Sequence, residues 1–218
     1  MWMEKVSCIF ITSFLYYFLL FHKWATRMGS FFSAIIKIGD EIMKEIELSK
    51  NIFVVKASVV NFPADAIVNA ANKTLLGGGG VDGAIHQAAG PNLLEACKKL
   101  NGCDTGEAKI TPSFDLKTCK YIIHTVGPVF KLSQNPQQQL QSCYKKSLDL
   151  ALEYKCNSVA FSGISTGVYE YPVKQAASVA SEAVAEWLKR HNFAIKVFLC
   201  CYKESEFEAY AQLVRTTK

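Results

Sequence analysis

Short apolar runs alternate with longer segments of helical periodicity along most of the chain. Five of these runs are rich in β-branched or aromatic residues, and several lack polar alternation, which is typical of strands covered on both faces. We therefore predict strands at residues 51–56, 66–70, 121–126, 158–161 and 195–201. No internal repeat or low-complexity segment interrupts the alternation.

The segments between the strands place apolar residues three or four positions apart, as amphipathic helices do. In the first of them Leu140, Tyr144 and Leu148 share one face. We predict helices at residues 138–155, 173–191 and 204–215. Alternating strands and helices predict an α/β fold in which a mostly parallel sheet lies between two helix layers.

In sheets of this kind, ligands bind beyond the carboxyl ends of the strands, in the loops that lead into helices. Two such loops are prominent, at residues 69–82 and 162–171. The first contains four consecutive glycines, at 77–80, directly before a predicted helix start. Glycines at a helix start expose backbone N–H groups, and the helix dipole adds to their attraction for an anion.

Neither loop contains a Lys or Arg after Lys73, so a phosphate bound there would be held by main-chain amides. The second loop contributes further small residues with N–H and hydroxyl donors, namely Gly163, Ser165, Thr166 and Gly167. We predict that the two loops bind one diphosphate from both sides. The alternative is that the glycines form a tight turn without any ligand.

Residues 78–83 also match the dinucleotide-binding pattern G-x-G-x-x-G. A true fingerprint follows its strand directly and is followed by an acidic residue at the end of the next strand. Here the first matching glycine lies well beyond the predicted strand, and the later stretch reads as a turn. We therefore interpret this match as accidental.

Three polar side chains accompany the first loop. Asn69 and Asn72 lie at the strand end, where an amide can bind the vicinal hydroxyls of a sugar or cap a turn. Asp82 lies in the first turn of the predicted helix. It is a candidate base or orienting group for a water molecule, or an acid that stabilises the helix dipole.

The charge of the chain is a weak indicator of its partner. The net charge of +5 arises from 24 basic and 19 acidic residues without a Lys/Arg run. A basic stripe, which nucleic-acid binding requires, is missing, so a nucleic-acid partner is not favoured. Nothing in the sequence demands more than a monomer.

The eight cysteines are spread along the chain without a C-x-x-C pair. A chain of 218 residues needs no disulfides to fold, so we predict buried, reduced thiols and a reducing compartment. Cys97, Cys103 and His86 do not have the spacing of a zinc site, and we predict no metal. His124 lies within a predicted strand and is expected to be a core residue.

Residues 1–40 differ from the rest of the chain, because they contain an apolar, uncharged stretch at residues 6–21. Sixteen residues are borderline for a bilayer span. The segment is interpreted as a signal anchor, a cleaved signal peptide, or upstream sequence outside the working protein. An anchor would leave residues 41–218, the predicted folded domain, on the cytosolic side. Translation from Met28 would instead expose an N-myristoylation signal.

Four motifs in order resemble the macrodomain family, and within it the MacroD-type ADP-ribose hydrolases: ADAIVNAANKTLLGGGGVDGAIHQAAGP, TGEAKIT, YIIHTVGP and GISTGVYEYP. The resemblance implies a three-layer α/β/α fold with a mixed, mostly parallel sheet. It also implies an enzyme that binds ADP-ribose. Such an enzyme hydrolyses the ester between ADP-ribose and Asp or Glu side chains of modified proteins, and deacetylates O-acetyl-ADP-ribose, without a metal or another cofactor.

The resemblance assigns roles to individual residues. Asn72 and Asp82 match the catalytic pair of the family, while the place of Asn69 beside the sugar is predicted only from its position at the strand end. Tyr169 matches an aromatic residue that packs on the terminal ribose, and Tyr202 lies where an aromatic residue contacts adenine. The residues matched to the diphosphate loops are Gly78, Gly79, Gly80, Val81, Ser165, Thr166, Gly167 and Val168.

One departure from the family pattern concerns the adenine contact. Where macrodomains carry an Asp that accepts from the adenine amino group, this chain has Ser58, followed by Val59. A charged acceptor contributes about 1.5 to 3 kcal/mol, so we expect weaker adenine discrimination. Glu170 stands where the family often has glycine and adds a negative charge near the cleft.

Three functions follow from these residues. A hydrolase of ADP-ribosyl esters is favoured by Asn72, Asp82 and Tyr169 together. A non-catalytic reader of ADP-ribose is the alternative that Ser58 motivates. A platform for nucleic acid or poly-ADP-ribose is disfavoured by the missing basic stripe.

Overall fold

The computed structural model describes residues 33–38 and 41–216 of the chain. Within these residues the backbone forms eight strands and five helices. The strands are β1 (Ser33–Ile38), β2 (Glu41–Ser49), β3 (Ile52–Val55), β4 (Ala66–Ala71), β5 (Ala108–Pro112), β6 (Tyr121–Val126), β7 (Ser158–Phe161) and β8 (Lys196–Cys200). The helices are α1 (Gly80–Ala89), α2 (Pro91–Leu100), α3 (Pro136–Glu153), α4 (Val173–Arg190) and α5 (Glu204–Thr216).

The strands form one sheet with the order β1-β2-β3-β8-β7-β4-β6-β5. The five strands β3, β8, β7, β4 and β6 run parallel to one another. β2 pairs antiparallel with β3, and β5 pairs antiparallel with β6. The carboxyl ends of β7, β4 and β6 therefore meet at one edge of the sheet, where the two predicted ligand loops begin.

Side chains that alternate along the strands build an apolar layer on each face of the sheet. Val68, Ile123 and Phe161 pack with residues of α3, α4 and α5 on one face. Ile67 and Ile122 pack with residues of α1 and α2 on the other. Because both faces are covered, the central strands need no polar alternation. The predicted α/β/α fold with a mixed, mostly parallel sheet is confirmed.

All five predicted strands and all three predicted helices are present, with ends that move by one or two residues. The helix start predicted after the four glycines is α1. Four elements were not predicted, namely β1, β2, β5 and α2. The strands β2 and β5 pair antiparallel outside the parallel block. Charged residues interrupt the apolar ones in β2, and Lys109 and Thr111 interrupt those of β5, so their apolar signal is weak.

The seven cysteines in the described part of the chain are all free and buried: Cys97, Cys103, Cys119, Cys143, Cys156, Cys200 and Cys201. Burial raises the pKa of the Cys97 thiol to about 11, with a smaller contribution from the negative charge of Asp82. This thiol is therefore protonated at neutral pH. The prediction of buried thiols is confirmed for these seven residues, while Cys8 lies outside the described residues.

Residues 6–21 and Met28 lie outside the described residues. None of the helices at residues 41–216 is both long and apolar enough to cross a membrane. The anchor, signal-peptide and myristoylation interpretations therefore stay predictions. β1 lies inside the segment predicted to precede the folded domain, and the division of the chain at residue 40 stays a prediction as well.

Candidate active site

A cleft of about 310 Å³ opens beyond the carboxyl ends of β7, β4 and β6. It is bordered by the loop between β4 and α1, by the loop between β7 and α4, and by the residue that follows β6. Its lining residues are Ala70, Ala71, Asn72, Gly78, Gly79, Gly80, Val81, Asp82, Gly127, Gly163, Ser165, Gly167, Val168 and Tyr169. The two loops singled out in the sequence thus face one cavity.

The first loop is shaped by hydrogen bonds from a single side chain. The Asn72 amide nitrogen donates to the Gly77 carbonyl at 2.8 Å. The Asn72 carbonyl oxygen accepts from the Thr74 amide at 3.0 Å, from the Thr74 hydroxyl at 2.6 Å and from the Leu75 amide at 3.2 Å. Gly77 adopts a φ of 85° and Gly80 a φ of 63°, which side chains disfavour. Asn72 therefore caps the turn and keeps one N–H free for a ligand.

The backbone N–H groups that follow this turn have no hydrogen-bond partner within the described part of the protein. Among the hydrogen bonds of the described residues, none uses the N–H groups of residues 78–81 as donors. Gly79 is the N-terminal cap residue of α1 and makes no side-chain cap hydrogen bond. A helix start without caps and with glycines around it is an anion site by geometry and by dipole.

The second loop also contains N–H groups that have no hydrogen-bond partner among the residues that the structure describes. The N–H groups of residues 165–168 donate to no acceptor in the described part of the chain. The Tyr171 amide donates to the Ser165 carbonyl, and the Phe130 amide donates to the Tyr169 carbonyl. The Thr166 hydroxyl donates to Glu206 Oε1 at 3.2 Å. The Glu170 amide also donates to the Gly167 carbonyl, so this loop is fixed both by its own residues and by residues distant in sequence.

Ser165 and Gly127 meet at the floor of the cleft. Ser165 has a φ of 63°, and its hydroxyl oxygen is buried without a hydrogen-bond partner. A side chain at Gly127 would collide with that hydroxyl and with Ile164. Gly127 follows β6 directly and was not predicted as a site residue. The sequence H-T-V-G-P at the end of this strand could have indicated Gly127 as a site residue.

Asp82 is 3% exposed and lies in the first turn of α1. Its Oδ1 accepts from the Asn69 amide nitrogen at 2.6 Å, and its buried Oδ2 has no hydrogen-bond partner at residues 33–38 or 41–216. A side chain at Gly78 would come within 3.1 Å of Asp82 Oδ2 and 3.3 Å of the Asn72 amide nitrogen. A side chain at Gly78 would therefore press on both predicted catalytic side chains.

Two further residues, Asn69 and His86, lie close to the Asp82 carboxylate. Asn69 is fully buried, is bonded to the carboxylate and is not among the residues that line the cleft. His86 lies one turn further along α1, with its Nε2 atom 3.6 Å from Asp82 Oδ1. Sequence reasoning gave His86 no role, although its i, i+4 spacing from Asp82 on a helix was a usable signal.

The residues expected at the adenine end lie outside the lined cavity. Ser58 and Val59 follow β3, and Tyr202 follows β8, its parallel neighbour. The Tyr202 side chain is 75% exposed, and its carbonyl accepts from Lys56 Nζ at 2.7 Å. Neighbouring strand ends bring these residues to the same edge of the sheet. Their contacts with a nucleobase stay predictions.

The charge of Glu170 is compensated. Lys131 Nζ lies 2.7 Å from Glu170 Oε2, and this pairing holds the pKa of the exposed carboxyl below its usual range. The negative charge expected beside the cleft is therefore balanced by a neighbouring positive one. Within the described residues no three His, Cys, Asp or Glu side chains are grouped so that they could hold a metal ion.

Comparison with known proteins places the chain among relatives of one kind. The family profile described as Macro domain matches residues 68–180. A macro domain-containing protein of Chlorobaculum tepidum is 51% identical over 160 residues, which are 73% of this chain and 92% of the relative. Human ADP-ribose glycohydrolase MACROD2 is 47% identical over 166 residues, 75% of this chain but only 39% of that longer protein.

Solved structures agree with the sequence relatives. A Trypanosoma brucei macrodomain in complex with ADP-ribose superposes with a TM-score of 0.71 at 41% identity, covering 75% of this chain and 69% of that one. An Oceanobacillus iheyensis macrodomain with ADP gives 0.74 at 36% identity, covering 80% and 96%. The order of the strands, the two amide-rich loops and these matches lead to one conclusion: the chain belongs to the macrodomain family.

Proposed function

We propose that this chain is an ADP-ribose-binding hydrolase. It would release mono-ADP-ribose from acidic side chains of modified proteins, deacetylate O-acetyl-ADP-ribose, or do both. One observation carries the proposal. The backbone N–H groups of residues 78–81 and 165–168 donate to no acceptor among the described residues, and these two segments border a cleft that Asp82 also lines. The relatives named ADP-ribose glycohydrolase and the related structure with ADP-ribose support the same ligand and chemistry.

The diphosphate would be bound by neutral donors. No Lys or Arg is among the residues that line the cleft. The N–H groups of both loops and the dipole of α1 supply the positive potential instead. Main-chain donors are already fixed by the fold, so binding costs little reorganisation.

Asp82 would act on the water that attacks the substrate. Its unpartnered Oδ2 can accept a proton or a hydrogen bond from a water molecule beside Gly78. Together with a phosphate oxygen of the bound substrate, it would direct that water at the ester or at the anomeric carbon. Positioning of this kind supplies much of the rate in hydrolysis, and no metal or other cofactor is invoked.

Asn72 would hold the terminal ribose. Because its carbonyl oxygen already accepts three hydrogen bonds within the loop, it offers the sugar one N–H donor and no acceptor. Tyr169, which lines the same cleft, supplies the apolar surface on which a ribose ring can pack.

The nucleobase end should be less selective than the phosphate end. Ser58 brings no negative charge to the edge where Tyr202 is exposed. Calorimetry with ADP-ribose and with its hypoxanthine analogue measures this selectivity. Affinities within about ten-fold of each other are expected, and a much stronger adenine preference would contradict the assignment of Ser58.

Turnover tests the proposed function directly. The full chain is incubated with a protein mono-ADP-ribosylated on Glu, and separately with O-acetyl-ADP-ribose. Release of free ADP-ribose, or of acetate, supports the hydrolase. Binding of ADP-ribose without release from either substrate would instead make the chain a reader.

A further inference from the structure

A chain of buried hydrogen bonds leads away from Asp82 into the sheet. The Asn69 amide nitrogen contacts Asp82 Oδ1 at 2.6 Å and His124 Nδ1 at 3.2 Å. On the far side of the ring, His124 Nε2 lies 3.0 Å from the Thr111 hydroxyl oxygen. Asn69 and His124 are direct partners in the β4–β6 register, and Thr111 lies on β5, the next strand. The chain of bonds therefore crosses three neighbouring strands.

The donors in these bonds have one consistent assignment. A carboxylate only accepts, so the Asn69 group at 2.6 Å from Asp82 is the NH₂ group and not the carbonyl. The second hydrogen of that NH₂ group points to His124 Nδ1, which must therefore be unprotonated. In a neutral imidazole the proton then lies on Nε2 and is donated to the Thr111 oxygen.

The surroundings keep the ring in this state. His124 is fully buried, and burial, with a smaller contribution from His86, lowers its pKa to about 3. The His86 ring lies 6.4 Å away, and the Cys97 thiol lies 3.8 Å from Nε2. A proton on Nδ1 would oppose an Asn69 N–H and break the chain of bonds.

We propose that His124, held by Thr111, is a positioning residue that fixes the Asn69 amide and through it the carboxylate of Asp82. The proposal rests on the hydrolase function proposed above. Among the described residues, Asn69 is the only side chain that hydrogen-bonds to Asp82 Oδ1, so the direction of the free Oδ2 depends on how that amide is held. His124 itself never touches the substrate.

Two substitutions of His124 separate positioning from packing. His124→Asn keeps an acceptor at the position of Nδ1, whereas His124→Gln keeps a polar group at the position of Nε2 and lacks that acceptor. Both remove the ring. We expect kcat to fall about ten-fold further in His124→Gln than in His124→Asn, with equal ADP-ribose affinity in the two variants. Equal kcat values, or affinity that falls in step with kcat, would overturn the proposal.

Thr111→Val tests the other end of the chain of bonds with little change of shape. It removes the nearer partner of Nε2–H and leaves the Cys97 sulfur, a weaker acceptor at 3.8 Å. The Nδ1–H form of the ring, which loses the bond from Asn69, should therefore gain population. Thr125→Val is the matched control, because Thr125 is also a buried threonine, on β6, but donates to the Glu107 carbonyl. We expect kcat to fall about ten-fold in Thr111→Val and to stay unchanged in Thr125→Val. Equal kcat values in these two variants would overturn the role of Thr111.

The protonation state can be observed without turnover. Nitrogen NMR of the imidazole of His124 in the full chain should show an unprotonated Nδ1 and a protonated Nε2. Thr111→Val should raise the population of the Nδ1–H form. If the wild type already carries its proton on Nδ1, the proposal is wrong whether or not the chain is an enzyme. Active wild type with a fully active His124→Gln would refute the positioning role alone, whereas inactive wild type with the expected tautomer would refute the hydrolase instead.

Discussion

The two loops that border the cleft present similar N–H groups but are built in different ways. The first loop is shaped mainly by its own residues, because Asn72 bonds to Thr74, Leu75 and Gly77 within six positions of chain. Its Lys73 carbonyl also accepts from the distant Cys103 amide. The second loop has local bonds too, from Tyr171 to Ser165 and from Glu170 to Gly167, but it also depends on partners far away in sequence. Thr166 donates to Glu206 on α5, and Tyr169 accepts from Phe130.

This difference indicates which substitutions would disturb the conformation of each loop. A locally built loop is sensitive to its own glycines and to Asn72. A loop held by distant partners can be loosened by changes that never touch the ligand. The first loop also leads into the helix that carries Asp82, so the proposed mechanism assigns the chemistry to its side of the cleft and ligand binding to both loops.

The largest effect is expected from the carboxylate beside the first loop. Asp82→Ala should lower turnover of the ADP-ribosyl ester by about a hundred- to ten-thousand-fold, because the group that activates water is lost. ADP-ribose affinity should stay within a few-fold. Turnover and calorimetry measure the two quantities, and Glu95→Ala, an exposed carboxylate on α2, is the control. Undiminished turnover in Asp82→Ala would remove this residue from the mechanism.

A matched pair of glycine substitutions compares the loops directly. A side chain at Gly79 or Gly167 would meet no protein atom within 4 Å, and neither residue has a positive φ. Stability should therefore change by less than about 0.5 kcal/mol in Gly79→Ala and Gly167→Ala. The added methyl group would occupy the space of the diphosphate, so each should weaken ADP-ribose binding by about ten-fold. Full affinity in either variant would show that the ligand does not approach that loop.

Loosening the second loop from a distance should have a smaller effect. Glu206 accepts from the Thr166 hydroxyl and from the Lys203 amide. Glu206→Ala removes both bonds, and we expect ADP-ribose affinity to fall about five-fold, the equivalent of about 1 kcal/mol. Glu208→Ala, an exposed residue of the same helix, is the control. An unchanged affinity in Glu206→Ala would mean that the loop holds its shape without α5.

The smallest effect on binding is expected at the opposite end of the strands. Asp65, just before β4, accepts from Lys120 Nζ and from the Asn157 amide, and the Lys120 bond is the main reason why its pKa lies below its usual range. A lowered folded-state pKa means that the stabilisation is present above the unfolded-state pKa and is lost as pH falls through the folded one. Asp65→Asn should lower the Tm at neutral pH but not in strong acid, with unchanged ADP-ribose affinity.

Asp104→Asn serves as the control for that titration, because Asp104 is exposed and its carboxylate makes no hydrogen bond like those of Asp65 among the described residues. A pH-independent difference in Tm between Asp65→Asn and wild type would contradict the stabilising role of the charged carboxylate. A loss of affinity in Asp65→Asn would show that the two ends of β4 are coupled.

The strength of the apolar pattern explains which strands the sequence could predict. The central strands carry continuous apolar runs because helices cover both faces, so they were predictable. The strands β2 and β5 were not, because polar positions interrupt their apolar signal. The helix α2 was missed although Pro91 at its start and the buried Leu93 and Cys97 follow helical rules.

Site residues that lie in one segment of the chain were easier to predict than residues that the fold brings together. Residues 72–82 lie in one segment, so the sequence predicted an anion site at the glycines, and the family motif in the same segment assigned roles to Asn72 and Asp82. Gly127, Glu206 and His124 reach the site through pairings between distant strands and helices. Their chemistry depends on which strands become neighbours, and a linear pattern does not contain that information.

The most direct test of the central claim is a crystal structure of the full chain with ADP-ribose bound. We predict that N–H groups from both 78–81 and 165–168 lie within hydrogen-bond distance of phosphate oxygens, with the terminal ribose beside Asp82. A diphosphate bound by lysine or arginine side chains, or one that contacts neither row of N–H groups, would contradict the proposed mode of binding.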